Sequence, residues 1–422
     1  MMTTATATSN PLHPVAVDER IDLIDVVRGF ALFGVLLANL VWATTDVVLS
    51  DARLAGLPTE PLDRVVKPLI VFLVDHKFYT LFSFLFGLGF AVQLSRAEQR
   101  GHSVVPTYVR RVVILAAIGL AHIRLLWYGD ILLMYSIGGL GLLAVRRWNG
   151  RALVILALTL ALFARAAFAA YPLVAGDATA VEQSDDGEAA KEHRLAVFDG
   201  PSYWEIAREN IRYYYGNIVV KAFALFAIPQ IFARFLLGLY VGRRGWSVHA
   251  ADLRPYLRRA LPWTLTLGVF GNGVFLVMER LEHAHVIGPD SYWTPASAPL
   301  VEAGILAMSF SYLAAIVLLF YANDRWRNRL SRLAPVGRMA LTNYLSHSAL
   351  YLLVFSGIGL GLYGQVGPAL CVVFSVLIFA AQMLFSRWWL ARYRFGPAEW
   401  VWRTLTYGEL QAMKAAPRVH TV

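Results

Sequence analysis

The chain is organised around long stretches that hold almost no ionisable side chains. Runs of about 20 mostly apolar residues, the length that crosses a bilayer core, recur near 24–44, 77–96, 110–128, 130–146, 152–173, 219–242, 257–280, 299–321, 336–355 and 368–391. In hydrocarbon every backbone polar group must be paired within the protein, and a helix does this locally. These runs predict an all-α fold, a polytopic transmembrane bundle of about ten spanning helices. Composition agrees: 58% of the 422 residues are hydrophobic and 16% are charged, against about a quarter charged in soluble domains. Turn chemistry separates runs at Gly129, Asn149-Gly150, Gly288-Pro289 and from Gly364 to Pro368.

The formal charge of +10 sits largely in arginines between the runs. That pattern reads as loops facing an anionic leaflet. No nucleic-acid-binding motif appears, so no nucleic acid is expected as a partner. Placing Arg96 to Arg111, Arg146 to Arg151, Arg243 to Arg259, Arg325 to Arg338 and the tail on one side predicts that both termini are cytoplasmic. The first run carries Asp25 and Arg28 and has no cleavage site after it, so it reads as a retained anchor. Five helices then fill 20–173 and five more fill 219–408, the latter with an interfacial aromatic tail. Residues 1–19 read as a disordered tail and 409–422 as a flexible one. The connection 174–218 is acidic at first and ends in Tyr203-Trp204-Glu205 and Tyr213-Tyr214-Tyr215. It predicts a mobile extracytoplasmic stretch followed by an amphipathic helix on the membrane surface. Cys371 is the only cysteine, which excludes an intrachain disulfide and a thiolate metal cluster.

Polar groups within apolar runs are costly, so each needs a partner or a task. Asp25 and Arg28 are three residues apart and share a helix face; they form a local ion pair, or Arg28 meets an anionic ligand. Asn39 lies three turns deeper and has either an interhelical hydrogen bond or a place on a ligand path. His122 ends one run and Asp130 begins the next. Asp130 reads as a helix N-cap, but a short Trp127-Tyr128-Gly129 turn can also fold its carboxylate onto the imidazole. A carboxylate on one ring nitrogen fixes the tautomer and leaves the other as a general base or acyl acceptor. His76 and Lys77 stand before a Phe-rich run, with Lys77 snorkelling or contacting a substrate. Arg338, Asn343, Tyr344 and His347 belong to one helix, on which Asn343 and His347 are one turn apart and predict a buried hydrogen-bonded pair. Arg165 and Arg234 fall inside spans and should face the bundle interior, as counter-charges or on an anion path. No paired-histidine spacing appears, so no metal site is expected.

Several of these stretches resemble the YeiB family of bacterial inner-membrane proteins. They are Arg20-Ile21-Asp22-Leu23-Ile24-Asp25-Val26-Val27-Arg28-Gly29, Lys77-Phe78-Tyr79-Thr80-Leu81-Phe82, and His122 followed by Gly129-Asp130-Ile131-Leu132. The run Val336-Gly337-Arg338-Met339-Ala340-Leu341-Thr342-Asn343-Tyr344-Leu345-Ser346, closed by Phe395-Gly396-Pro397-Ala398-Glu399-Trp400, resembles that family's C-terminal domain of unknown function. The resemblance covers about residues 20–408 and implies a multi-pass protein of the bacterial inner (plasma) membrane. The opening from Asp25 to Gly29 is also similar to that of transmembrane acyltransferases of the heparan glucosaminide acetyltransferase group. That similarity implies transfer of an acyl group from cytoplasmic acyl-CoA, such as acetyl-CoA, to an extracytoplasmic glycan or lipid acceptor, with no tightly bound cofactor. Where many sugar O-acyltransferases have a histidine after the opening arginine, this chain has Asn39. His122 held by Asp130 is then the expected catalytic pair, with His76 second. Asp25, Arg28, Asn39, Lys77, Arg338, Asn343 and Tyr344 are expected to bind donor or substrate. His347 stands where relatives commonly have Gln. The bilayer is the expected partner, and a homodimer is allowed. A transporter or exporter using the same polar groups is the alternative, favoured by the Gly271-Asn272-Gly273 interruption of a run. A non-catalytic partner of another membrane protein is the third reading.

Overall fold

A computed structural model describes residues 22–175, 187–216, 223–246, 249–288 and 291–414. Every regular element among them is a helix, and one isolated antiparallel bridge joins Tyr393 to Lys414. In chain order the helices are α1 (Asp22–Val41), α2 (Asp51–Ala55), α3 (Glu60–Leu73), α4 (Lys77–Gln99), α5 (Val105–Leu125), α6 (Leu132–Val145) and α7 (Gly150–Ala175). They continue as α8 (Glu188–Phe198), α9 (Tyr203–Tyr213), α10 (Phe223–Arg243), α11 (Arg254–His283) and α12 (Trp293–Phe320). The last are α13 (Asp324–Leu330), α14 (Ala334–Arg338), α15 (Ala340–Phe355), α16 (Pro368–Leu390) and α17 (Pro397–Tyr407).

Six stretches are long and apolar enough to cross a membrane: Asp22–Asp46, Glu60–Gln99, Gly150–Tyr171, Arg254–His283, Trp293–Phe320 and Pro368–Leu390. This is a membrane protein. The expected runs at 110–128, 130–146, 219–242 and 336–355 are helical too, as α5, α6, α10 and α15, but α6 has only 14 residues and α15 only 16. The run expected at 336–355 is interrupted at Met339, whose φ of −108° and ψ of 33° leave the helical region. Arg338 therefore closes the short α14 rather than opening a long helix. The reverse holds at Gly271-Asn272-Gly273, where sequence suggested a break: α11 runs unbroken from Arg254 to His283. Asn272 Nδ2 donates to the Gly268 carbonyl at 2.7 Å, one turn back. Gly271 lets the backbones of α11 and α12 meet at Gly304, where a Cβ on either glycine would lie under 3 Å from the other.

Close helix crossings matter more here than apolar area, because lipid tails are as apolar as leucine and burial alone does not drive helices together. The α4–α10 crossing is reciprocal. A Cβ on Gly87 would collide with the Phe235 carbonyl, and one on Gly238 with the Phe84 carbonyl. α1 runs through the core with Leu32, Leu36 and Leu40 fully buried at one-turn spacing.

The segment 187–216 folds over one end of the bundle. Arg53 on α2 binds Glu192 on α8 through two bonds of 2.6 and 2.8 Å. Arg194 Nε donates to the Val47 carbonyl at 3.0 Å, and Tyr203 OH to the Leu125 carbonyl at 2.9 Å. The aromatic stretch expected to be an amphipathic helix forms α9. The tail 1–19 and the acidic stretch at Glu182, Asp185 and Asp186 lie outside the described residues. Of the 409–422 tail, residues 409–414 pack back on α17 and its approach: Arg394 N donates to the Met413 carbonyl at 2.9 Å and Trp400 Nε1 to the Gln411 carbonyl at 2.7 Å.

Candidate functional site

α5 ends at Leu125, and a six-residue connection leads into α6. Asp130, near the end of that connection, does two jobs with its two oxygens. Oδ1 accepts the Leu133 amide hydrogen at 2.8 Å and so caps a free amide at the start of α6 from one residue before the N-cap position, Ile131. Oδ2 lies 2.8 Å from His122 Nδ1. On the other side of the ring, His122 Nε2 lies 2.8 Å from Ser348 Oγ on α15. The three residues are 3%, 2% and 1% exposed. An ionised carboxylate only accepts, so the bond to Asp130 puts a proton on Nδ1; in the neutral imidazole Nε2 is then the acceptor and the Ser348 hydroxyl the donor. The arrangement is a hydrogen-bonded carboxylate–imidazole–hydroxyl relay, and geometry rather than sequence order is how such relays are recognised.

Tyr344 sits one turn before Ser348 on the same helix, with its ring centroid 5.3 Å from that of the imidazole. Its hydroxyl accepts from Ile131 N at 3.2 Å and donates to the Gly129 carbonyl at 3.3 Å. Tyr344 also forms part of the wall of a cavity of about 240 Å³. Four arginines are among the residues that line it: Arg28, Arg111, Arg338 and Arg403. They come from the start of α1, the start of α5, the end of α14, and α17. The lining is also aromatic, with Tyr79, Phe82, Phe86 and Tyr135. Arg28 binds Asp25 at 2.7 Å, Arg111 lies over the Trp402 ring at 3.9 Å, and Arg403 over Phe395 at 4.7 Å. Two buried polar atoms on this wall have no hydrogen-bond partner among the described residues: Arg338 Nε and Tyr108 OH.

The one carboxylate in the lining is Glu399, and it is occupied. Oε1 accepts from Leu341 N at 2.6 Å and Thr342 N at 3.1 Å, and Oε2 from Thr342 Oγ1 at 2.5 Å. A remote glutamate thus satisfies the free amides at the N-terminus of α15. Burial pushes its carboxyl above the usual glutamate range, against the pull of these hydrogen bonds.

The remaining expected site residues fall elsewhere. Asn343 does not line the cavity; its Nδ2 donates to the Val336 carbonyl at 3.2 Å and to Ser386 Oγ at 3.0 Å. It does not pair with His347 either. His347 Nε2 meets Gln382 Oε1 at 3.1 Å, and Gln382 Nε2 donates to the Asn343 carbonyl and Ser346 Oγ, so α16 supplies the partner for both. Lys77 Nζ is buried against the Val71 carbonyl at 2.7 Å, away from the cavity. His76 adopts a left-handed backbone, φ 65°, at the α3–α4 corner, with its ring 6.0 Å from Tyr79. Asn39 is half-buried and also off the cavity wall. Arg165 and Arg234 converge on Glu302, at 3.8 and 2.6 Å. Arg234 Nε also donates to Thr80 Oγ1 at 2.9 Å, and its guanidinium lies 4.9 Å from the centre of the Tyr79 ring.

Sequence reasoning missed Ser348, Glu302, Arg111, Arg403 and Tyr108. Glu302 left a signal, being the one charged residue in its apolar run. Ser348 left none, since its partner is 226 residues away.

Fold and site together define a polytopic α-helical membrane protein with a buried polar relay and an arginine-lined cavity. The chain is 32% identical to YxaH of Bacillus subtilis over 97% of its length and 99% of that protein. It is 27% identical to YeiB of Escherichia coli, covering 92% and 96% of the two chains. A 39.9 kDa protein from the amylase 3′ region of Bacillus acidopullulyticus is 29% identical, over 94% and 96%. Residues 241–409 match the family described as Protein of unknown function (DUF418). The chain belongs to the YeiB family. The relatives' descriptions assign no activity, and no solved structure matches.

Proposed function

We propose that this protein is a transmembrane acyltransferase of the bacterial inner membrane, taking its acyl group from a cytoplasmic acyl-CoA. The observation that carries this reading is the His122–Asp130 relay beside Tyr344, a wall residue of a cavity that four arginines also line. The cationic lining fits a donor rich in phosphate, because guanidinium groups pair with phosphate oxygens through two parallel bonds. Arg28 is paired with Asp25, and the carboxylate of Glu399 is engaged by backbone amides. A volume near 240 Å³ is below the usual range for a whole drug-sized ligand. It suits the narrow acyl-pantetheine arm, with the nucleotide outside. The unpartnered Arg338 Nε and Tyr108 OH would be satisfied by that ligand.

In this reading both termini are cytoplasmic, all ten apolar helices cross the bilayer, and α8 and α9 cover the periplasmic end. His122 Nε2 takes the proton from the reacting hydroxyl while Asp130 holds the ring. Asn39, Lys77, His76 and Asn343 take structural rather than ligand-binding roles. The extracytoplasmic acceptor is a hydroxyl or amine of a glycan or lipid. The direct test is binding of radiolabelled acetyl-CoA to purified protein in detergent, and release of its thiol, for wild type, His122→Ala and Arg338→Ala. Saturable binding weakened by Arg338→Ala, with turnover lost in His122→Ala, is the expected result. No saturable binding by the folded wild type sinks the reading. A reporter fused to the C-terminus that works only in the periplasm would remove the proposed orientation.

A further inference from the structure

Buried hydroxyls in this protein have a habit. Thr44, Ser136, Ser309, Ser311, Ser356 and Thr406 each return their hydrogen to the carbonyl one turn back in their own helix. That is the ordinary way for a serine or threonine to satisfy itself inside a helix. Ser348 departs from it, as do Ser83, whose Oγ meets the Tyr135 hydroxyl at 2.6 Å, and Ser386, whose Oγ accepts from Asn343 Nδ2 at 3.0 Å; what sets Ser348 apart is that its partner is an imidazole. Its Oγ reaches across to His122 Nε2 on another helix, its one hydrogen bond among the described residues. The imidazole is fixed from behind by Asp130 Oδ2, and Asp130 is itself held by the Leu133 amide. Ring and carboxylate are each held at both ends, and the hydroxyl that faces the ring is the serine's.

We propose that Ser348 is the nucleophile of this site and carries the acyl group as an ester between donor and acceptor. The inference rests on the acyl-transfer reading above and makes it a two-step reaction. In the first step Ser348 Oγ forms a bond to the thioester carbonyl carbon and its proton passes to His122 Nε2. The carbon–sulfur bond breaks, and the leaving thiolate takes that proton as free thiol. In the second step an acceptor hydroxyl, or water, gives its proton to Nε2 and attacks the serine ester. The Ser348 oxygen leaves and recovers the proton. A covalent carrier fits a transfer between two sides of a membrane, because donor and acceptor need never be bound together.

The path to the serine runs past Tyr344. That ring lines the cavity, lies 5.3 Å from the imidazole, and sits one turn from Ser348 on the same face of α15. Its hydroxyl is tied by two bonds of 3.2 and 3.3 Å to the α5–α6 connection. Both lie at the long end of the hydrogen-bond range, and releasing them swings the ring away from the relay.

Full-length protein in detergent micelles is treated in parallel with a fluorophosphonate probe, which phosphonylates activated serines, and with radiolabelled acetyl-CoA. Peptide mapping by mass spectrometry then locates any adduct. The expected result is one adduct on Ser348 from either reagent and a burst of one thiol per chain from acetyl-CoA. Ser348→Ala abolishes both, and His122→Gln slows labelling by about 10²- to 10⁴-fold, the usual worth of a general base. Thermal melting confirms that each variant is folded. The wild-type mapping stands alone if Ser348→Ala fails to fold. Absence of any adduct on Ser348 from both reagents, in folded protein, overturns the proposal. So does thiol release by Ser348→Ala at the wild-type rate, which leaves the acyltransferase reading standing. A fluorophosphonate adduct on Ser348 with no acetyl-CoA binding does the reverse: it supports the nucleophile and removes acetyl-CoA as donor.

Discussion

The two jobs of Asp130 can be separated by one substitution. Asp130→Asn still offers an amide oxygen to the Leu133 N–H, so the cap on α6 survives. What changes is the group facing the ring. An NH₂ now donates to His122 Nδ1, the tautomer reverses, and the proton moves to Nε2, 2.8 Å from Ser348 Oγ. The serine can then accept a hydrogen bond but has no base to take its proton. In an established relay of this kind the same exchange costs about 10⁴-fold in rate, or about 5.5 kcal/mol of transition-state stabilisation. Stability should fall by less than about 1 kcal/mol, since the lost cap is what costs about that much. Asp130→Ala is the contrast. It removes the cap, about 1 kcal/mol, and strands a buried ring N–H, about 1–3 kcal/mol more. Three measurements distinguish the variants: labelling rate at Ser348, chemical denaturation in detergent, and the ¹⁵N shifts of the His122 ring. An Asn variant that labels within threefold of wild type, or keeps its proton on Nδ1, refutes the relay. An Asn variant as unstable as the Ala variant refutes the assignment of Oδ1 as a cap.

Gly87→Ala and Gly238→Ala should each destabilise the bundle by about 1–3 kcal/mol or more through overpacking, because each new methyl meets the partner helix's backbone. Gly89→Ala, whose Cβ meets nothing within 4 Å, should be neutral or stabilising in the same thermal melts, and equal losses at all three positions would contradict the crossing geometry. Glu302→Leu leaves Arg234 buried without its counter-charge, at a cost of about 3–5 kcal/mol. Adding Arg234→Met should recover most of that in a double-mutant cycle, and simple additivity would show the pair to be uncoupled. Glu399 binds its proton more tightly in the fold than in the unfolded chain. Its contribution is therefore fully present below the ordinary glutamate pKa and is lost as pH rises through the raised value. Glu399→Gln keeps an acceptor for α15 and should flatten that part of the stability profile, so a profile that overlays wild type would count against the assignment.

Hydrophobic run length made the helices legible, because in lipid the backbone has no alternative to a helix. The His122–Asp130 contact was legible too, since only eight residues and a tight turn separate them. Helix continuity was not. Met339 breaks a run that composition would continue, while α11 runs unbroken through Gly271-Asn272-Gly273, with Gly271 packed against Gly304 of α12. Long-range pairing was the other blind spot. Glu399 caps α15 from 58 residues away, and Ser348 completes the relay from 226. Each looks ordinary in its own segment, a helix glutamate and a helix serine, and only the crossing of elements gives it a role.

That dependence on crossings bears on what the family's C-terminal domain can do alone. The matched region, 241–409, supplies Arg338, Tyr344, Ser348, Glu399 and Arg403. Arg28, Tyr79, Tyr108, Arg111, His122 and Asp130 all precede it. Without the N-terminal half, Ser348 has no base and the cavity loses two of its four arginines. α15 would also present its buried polar face, Ser348 and Tyr344, to lipid, where each unpaired group is costly. On the proposed mechanism the matched region supplies half of the site. The restraint on its residues comes from α1, α5 and the α5–α6 connection, and so does any chemistry they perform.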